Sequence, residues 1–188
     1  VGEGTAYMAT LVAGTTVDLL GPLGTGYSSP PPNSLPIIVA GGYGCAATYL
    51  LAKISPRPCV CLIGGRSSGD VLLVEEFREL GCDVRVSTDD GSLGHKGLVT
   101  DLLTDVLATA ATPFVAACGP NPMLHAVSRI AGKRGIDAEI SLDHEMCCGV
   151  GACFACVVKL RADNADGWEY VRTCRTGPVF KSSKVVWE

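Results

Sequence analysis

The chain has 188 residues, of which 47% are hydrophobic, and a formal net charge of −4. This length allows one large or two small domains with ample core. The slightly acidic balance gives no reason to expect a nucleic-acid partner, and because no apolar run reaches about eighteen residues, no membrane span is predicted.

Residues 1–36 contain few periodic elements and end in a stretch rich in Gly, Pro and Ser, GPLGTGYSSPPPNSLP. Such a composition is typical of loops and linkers. We therefore predict that this stretch is a loop and linker.

Residues 37–142 alternate short apolar runs with longer segments of helical period. The predicted strands are 37–40, 59–63, 83–87, 113–117 and 137–142. The predicted helices lie at about 45–54, 71–80, 98–110 and 122–133. This alternation is typical of βαβ units, so we predict an α/β fold with a five-stranded, doubly wound parallel sheet covered on both faces.

The turn after the first predicted strand carries GYGCAA at 42–47, which matches G-x-G-x-x-A and opens a helix. Glycines there permit a tight turn and let a phosphate approach the helix N-terminus. The acidic residue expected about twenty positions later is missing, and Arg66 follows two glycines there instead. This departure argues against a simple Rossmann domain and leaves a nucleotide-binding α/β domain of another family.

Three more segments follow the carboxyl ends of predicted strands: GGR at 64–66, TDDGS at 88–92 and CGPNP at 118–122. Parallel sheets bind their ligands beyond this edge. Each segment alone is also typical of a capped turn, because Asp, Ser and Pro favour turns and helix starts. Their shared position favours a ligand site.

The last part of the chain, 143–188, is rich in cysteine and carries two possible short strands at 154–160 and 169–172. Cys148, Cys153 and Cys156 have the spacing C-x4-C-x2-C, and Cys174 follows eighteen residues later. This is the plant-type [2Fe–2S] arrangement, so the first expectation is one-electron transfer. The GVG between the first two cysteines would let backbone amides turn towards sulfur.

Two other interpretations of these cysteines stay open. A four-cysteine zinc site would also use a C-x2-C pair, although zinc ribbons usually carry two such pairs. A disulfide framework is typical of small secreted chains. Five further cysteines lie in apolar or glycine-rich runs typical of reduced core thiols and favour a reducing compartment, which we expect to be the cytoplasm. They are Cys45, Cys59, Cys61, Cys82 and Cys118.

Several stretches together resemble one family. EISLDHEMCCGVGACFACVVKL and YVRTCRTGPVF resemble the C-terminal module of the electron-transfer subunits of two-component, NAD-linked dihydroorotate dehydrogenases. PIIVAGGYG, GGR, TDDGSLGHKGLVTDLL and CGPNPML resemble the ferredoxin reductase-type nucleotide domain of those subunits. GEGT and DLLGPLGTGY resemble the tail of their flavin-binding barrel.

The resemblance implies FAD, one [2Fe–2S] cluster and NAD as cofactors, in pyrimidine biosynthesis. Electrons would come from dihydroorotate at an FMN-containing catalytic subunit, in a heterotetramer with two copies of each subunit. The implied cluster ligands are Cys148, Cys153, Cys156 and Cys174. The residues implied near the FAD diphosphate are Gly2, Gly4 and Thr5. The implied nucleotide turn is formed by Gly41, Gly42 and Gly44. The residues implied to face the nicotinamide–flavin stack are Cys118, Gly119 and Pro120.

The resemblance also implies three parts: a barrel remnant with linker at 1–36, a pyridine-nucleotide domain at 37–142 and a cluster module at 143–188. The family's Arg-Pro-x-Ser stretch is not found, so we expect the chain to start late in the barrel at Val1. Two alternative functions stay open. One is an iron–sulfur flavoprotein subunit that serves a different NAD(P)H-linked oxidoreductase, and the other is a non-catalytic zinc interaction module.

Overall fold

A computed structural model describes residues 2–143 and 145–187, so the expectation about Val1 lies outside the described residues. The helices are α1 (Glu3–Met8), α2 (Gly44–Ile54), α3 (Val74–Glu79), α4 (Val99–Thr109), α5 (Asn121–Gly132) and α6 (Thr173–Thr176). The strands are β1 (Leu35–Gly41), β2 (Val60–Gly65), β3 (Asp83–Thr88), β4 (His95–Lys96), β5 (Pro113–Cys118), β6 (Glu139–Ser141), β7 (Val157–Arg161), β8 (Trp168–Arg172) and β9 (Val179–Lys181). Within the described ranges, no helix is long and apolar enough to cross a bilayer.

Seven strands form the main sheet in the order β4-β3-β2-β1-β5-β6-β9. Every neighbouring pair is parallel except β6 and β9, which run antiparallel. The predicted α/β class and the five parallel strands of its sheet are confirmed. The two edge strands, β4 and β9, extend the sheet and were not predicted.

The apolar runs become strands because the central strands are covered on both faces. All residues of β1 after Leu35 are buried. Ile37, Val39 and Leu62 pack with α4 and α5 on one face, whereas Ile38 packs with α2 and α3 on the other. Alternate residues of a strand point to opposite faces, so an unbroken apolar run serves two cores.

The strand order creates a switch point beside β1. From β1 the chain builds β2, β3 and β4 outward on one side, and then β5, β6 and β9 on the other. The loops that leave β1 and β5 therefore diverge at the carboxyl edge of the sheet, and such a divergence leaves a crevice for a ligand.

The cysteine-rich part is joined to the sheet at one edge. Its β7 and β8 form a separate antiparallel pair, whereas β9 hydrogen-bonds to β6. The segment before β1 runs along the same edge, because Thr25 bridges to Pro178. The Tyr27 hydroxyl also donates to the Ala117 carbonyl at 2.8 Å, next to the end of β5. The glycine-rich stretch 21–28 thus touches both the cysteine-rich part and the sheet.

Candidate functional site

A cavity of about 560 Å³ opens at the carboxyl edge of the sheet. Its walls come from the carboxyl ends of β1, β2 and β3, from the loop after β5 and from the starts of α4 and α5. The lining residues used below are Gly41, Gly42, Arg66, Asp70, Ser87, Asp89 and Pro120. The three loop segments predicted to share an edge, at 64–66, 88–92 and 118–122, each contribute to this one cavity.

The turn after β1 brings backbone to the cavity. Gly42 lines it, and a Cβ there would meet no atom within 4 Å, so its backbone faces open space. Gly44 begins α2 and faces inward, where a Cβ would overlap the Cys118 carbonyl. Only glycine lets α2 approach β5 this closely, which fixes the helix N-terminus at the cavity edge.

The loop after β5 forms the opposite wall. Gly41 and Pro120 both line the cavity, and a Cβ on Gly41 would stand 3.0 Å from the Pro120 ring and 2.9 Å from the Met123 sulfur. Cys118 is buried, and burial raises the pKa of its thiol to about 11. Its side chain is therefore a neutral group at neutral pH. Gly119 lies between Cys118 and Pro120, against Gly41.

Polar groups occupy the side of the cavity formed by β2 and β3. Ser87 is only 1% exposed and lines the cavity, yet its hydroxyl oxygen has no hydrogen-bond partner among the described residues. Buried hydroxyls normally have a partner, so this one fits a site that a ligand completes. Sequence reasoning missed Ser87, since a serine at a strand end carries no distinctive signal.

Charged groups line the same cavity as that serine. Asp89 and Asp70 line the cavity, and the Arg66 guanidinium lies 3.5 Å from an Asp70 oxygen. Hydrogen bonds from Ser67 hold the pKa of Asp70 below its ordinary value, so the carboxylate stays ionised. Arg66 thus already faces an anion, and two carboxylates flank this end of the cavity.

The cysteine loop has backbone amides directed at one sulfur. The Ala152 and Cys153 N–H groups donate to the Cys148 sulfur at 3.3 and 3.4 Å. Gly149 and Gly151 make this turn with φ of +69° and +82°, values that side-chain-bearing residues rarely adopt. The amides, that of Cys153 foremost, lower the pKa of the Cys148 thiol to about 6. The loop is therefore built to hold a thiolate.

The four predicted ligands stand in two pairs. Cys148 hydrogen-bonds to Cys153, and Cys156 hydrogen-bonds to Cys174, which α6 carries. A [2Fe–2S] cluster takes two protein ligands on each iron, so two pairs fit its needs. The exposed Cys147 thiol also lies beside Cys153, so proximity alone does not select Cys148. The two backbone amides that donate to the Cys148 sulfur distinguish Cys148 from Cys147 as the better candidate ligand.

Side chains around the loop fix its shape. Arg172 donates to the Gly151 carbonyl at 2.6 Å and stacks 4.8 Å from the centre of the Phe154 ring. A Cβ on Gly149 would lie 3.0 Å from Leu23, which belongs to the stretch 21–28. The cysteine loop therefore contacts the same stretch that reaches β5 through Tyr27.

The remaining predicted residues lie elsewhere. Gly2 precedes α1, and Gly4 and Thr5 belong to it. This helix buries none of its residues, and among the described residues that line the cavity none comes from it. The placement of these three residues near a flavin diphosphate stays a prediction.

Comparison with known proteins gives a consistent result. Residues 143–186 match a family described as the iron–sulfur cluster binding domain of dihydroorotate dehydrogenase B. Over 98% of its length, the chain is 38% identical to the dihydroorotate dehydrogenase B (NAD(+)) electron transfer subunit of Fusobacterium nucleatum subsp. nucleatum, of which it covers 71%. It is 35% identical over its full length to the subunit of the same name from Desulforamulus reducens, of which it covers 72%.

A solved structure is similar as well. The structure of an NADH-dependent reduced ferredoxin-NADP oxidoreductase, described in a study of flavin-based electron bifurcation, superposes with a TM-score of 0.79. It is 30% identical, and the match covers 100% of this chain and 66% of that one. The match over 143–186 favours an iron–sulfur centre over a zinc site for the paired cysteines.

Proposed function

The chain belongs to the electron transfer subunits of NAD-dependent dihydroorotate dehydrogenase B, and from this membership we propose that it passes electrons from a catalytic partner subunit to NAD+. Its redox groups would be a [2Fe–2S] cluster and FAD. The cluster accepts and donates single electrons, and the flavin exchanges them for the hydride of a nicotinamide. The observation that carries this proposal is the cysteine loop, in which two amides stabilise a thiolate within two pairs of sulfurs.

We assign the cluster to Cys148, Cys153, Cys156 and Cys174. Their fit rests on chemistry visible in the chain, because thiolate ligation needs deprotonated sulfur. Backbone amides lower the pKa of Cys148, and the Cys174 backbone lowers that of Cys156. One sulfur of each pair is thus the easier to ionise, so each iron would meet one ready thiolate.

The cavity at the sheet edge is the proposed NAD site. The pyrophosphate would accept hydrogen bonds from backbone amides at the start of α2, beside Gly42, and the Ser87 hydroxyl would gain its missing partner. Asp70 and Asp89 favour NAD over NADP, because a 2′-phosphate would meet two carboxylates and an arginine already paired with one of them. Cys118, Gly119 and Pro120 would face the nicotinamide from the β5 side.

The flavin would sit beside the stretch 21–28. This stretch contacts the cysteine loop through Leu23 and the end of β5 through Tyr27, so it reaches both the proposed cluster site and the edge of the sheet that carries the proposed nucleotide site. A flavin between the cluster and the nicotinamide would shorten the distance of each electron-transfer step. Gly2, Gly4 and Thr5 complete this proposal on the diphosphate side.

The partner is proposed to be an FMN-containing subunit that oxidises dihydroorotate, with two copies of each subunit in the complex. The proton chemistry of the substrate would fall to that partner. We place the complex in the cytoplasm, since none of the ten cysteines forms a disulfide and a reducing compartment keeps thiols in that state.

The test is purification of the chain with its co-expressed partner, followed by iron, acid-labile sulfide and flavin analysis. We expect two irons and two sulfides per chain, as a [2Fe–2S] cluster contains, together with FAD on this chain and FMN on the partner. Zinc in place of iron would contradict the proposal.

A second candidate function is favoured by the solved structure at TM-score 0.79, which belongs to an NADH-dependent reduced ferredoxin-NADP oxidoreductase. In that case the same three sites would serve a different partner and no dihydroorotate would be consumed. Assaying the purified complex with dihydroorotate and with reduced ferredoxin separates the two functions. A dihydroorotate-oxidising partner would supply electrons only from dihydroorotate, and a ferredoxin-linked partner only from reduced ferredoxin.

A further inference from the structure

Three buried cysteines outside the cysteine loop meet in the core. Cys59 immediately precedes β2, Cys61 is its second residue, and both side chains belong to the same core; Cys82 immediately precedes β3. The Asp83 amide donates to the Cys59 carbonyl at 2.8 Å, which sets Cys82 beside Cys59 on the neighbouring strand. The three sulfur atoms all lie within 4.8 Å of one another.

This separation suits one shared ion. Three sulfurs that each stand about 2.3 Å from a central metal, a usual metal–thiolate length, are about 4 Å apart. The triangle is therefore close to the required size, and small side-chain rotations would close it. Among the described residues, no other three Cys, His, Asp or Glu side chains are grouped as closely.

The group is remote from the sites already described. The cavity lies at the carboxyl end of β2, whereas Cys59 lies at the amino end, six residues earlier than Gly65. At about 3.3 Å per residue, this separates the two by about 20 Å. Neither dinucleotide binding nor the cysteine loop accounts for three clustered thiols.

A fixed cation stands nearby. The Arg57 guanidinium donates to the carbonyls of Ser55, Leu80 and Ala52 at 2.7, 2.9 and 3.1 Å, which holds it at this end of the sheet. Arg57 precedes Cys59 by two residues, and its acceptor Leu80 precedes Cys82 by two, so this cation lies near the three thiols.

We propose that Cys59, Cys61 and Cys82 form a three-coordinate site for a soft monovalent metal ion of the Cu(I) type. Thiolates select such ions. A tetrahedral zinc ion would need a fourth ligand, which this group does not supply. The single charge of the ion and that of Arg57 offset two of three thiolate charges, which reduces the cost of burying them. Each sulfur that binds releases its proton to solvent.

The test uses the full chain with its iron–sulfur centre assembled, so that the loop cysteines are occupied. Cu(I) is added anaerobically against a competing chelator, and the bound ion is examined by X-ray absorption. We expect one Cu(I) per chain, three sulfur ligands and release of protons on binding. The variants Cys59→Ala, Cys61→Ala and Cys82→Ala should each lower the affinity at least 100-fold.

Cys45→Ala is the matched control, because Cys45 is equally buried in the same core and lies outside the triangle. It should bind Cu(I) as the unaltered chain does. Circular dichroism shows whether each variant is folded. If a variant does not fold, the X-ray absorption spectrum of copper bound to the unaltered chain still shows whether three sulfurs bind the ion. Any of four results would overturn the proposed site. These are nitrogen or oxygen ligands to the copper, two-coordinate copper, a Cys59–Cys82 disulfide instead of bound copper, or an equal loss of Cu(I) affinity in Cys45→Ala. None of these results depends on electron transfer.

Discussion

The carboxylate of Glu139 connects three parts of the chain, and its removal should be costly. Glu139 lies in β6 with its side chain 4% exposed. One carboxylate oxygen accepts from the Ser28 amide at 2.8 Å, and the other lies 2.9 Å from the Lys181 ammonium of β9. The side chain thus joins the sheet, the stretch that precedes it and the edge strand of the cysteine-rich part.

The magnitude follows from those two contacts. In Glu139→Ala the Ser28 amide loses its acceptor, at about 1–3 kcal/mol, and the ion pair contributes about 1 kcal/mol more, because Lys181 is half exposed and regains water. We expect a loss of about 3 kcal/mol, equivalent to about 6–12 °C in Tm for a chain of this size. Glu139→Gln keeps an acceptor for Ser28 and should cost only about 1 kcal/mol.

The assay is urea and thermal unfolding followed by circular dichroism, with Glu169→Ala as the control for an exposed glutamate. That control should stay within about 0.5 kcal/mol of the unaltered chain. Equal losses for Glu139→Gln and Glu139→Ala would refute the role of Ser28. A loss below about 0.5 kcal/mol for Glu139→Ala would refute the whole argument.

The pH dependence gives a second check on the same group. Burial alone would raise the pKa of Glu139, but hydrogen bonds from Ser28 and Lys181 outweigh it and hold the pKa below the ordinary value. The stabilisation is therefore complete above the pKa of an unfolded glutamate and is lost as the pH falls through the lower, folded pKa. The stability difference between the unaltered chain and Glu139→Gln should shrink on acidification. A difference that grows towards low pH would contradict this sign.

The remaining predictions concern the two sites. Cys148→Ser should abolish or strongly alter the cluster absorbance and EPR signal while Cys147→Ser leaves both largely intact, since the amides point at Cys148; the reverse order would contradict the ligand assignment. Gly44→Ala should lower the affinity for NADH at least tenfold in a titration, because the added Cβ would overlap the Cys118 carbonyl and displace α2. An unchanged affinity would exclude this turn from the proposed NAD site. Asp89→Asn should narrow the preference for NAD+ over NADP+, as a ratio of kcat/KM, by about fivefold, the effect of about 1 kcal/mol; an unchanged ratio would show that this carboxylate does not face the ribose.

The parallel core of the sheet could be predicted because its strands are buried on both faces. Unbroken apolar runs such as IIVA in β1 have no other common explanation between helical segments. The edge strands are different. β4 has two residues and β9 has three, so neither is long enough to show the alternation of apolar and polar residues that marks a strand. Each becomes a strand only by pairing with its neighbour, β3 or β6. Helix α3 is also shorter than the predicted 71–80, since Leu73 takes a left-handed conformation just before it.

The candidate site was predictable to the extent that spacing encodes it. The cysteine motif and the glycine turn are local patterns, and the resemblance to a family rests on them. By contrast, Ser87 is exceptional only because the fold buries its hydroxyl without a partner. Likewise, Cys59, Cys61 and Cys82 resemble ordinary core thiols in sequence, and only the pairing of two strands brings their sulfurs together. Contacts of this kind depend on tertiary register, which composition does not contain.

The central claim is that this chain carries electrons from dihydroorotate oxidation to NAD+. The most direct measurement is the rate of NAD+ reduction by dihydroorotate, measured with the purified catalytic partner subunit alone and with the co-expressed complex of that partner and this chain. We predict that NADH forms only when the chain is present, and that Cys148→Ser in the complex removes this activity while dihydroorotate still reduces an artificial acceptor at the partner. NADH formation by the partner alone, or at an undiminished rate in the Cys148→Ser complex, would contradict the account.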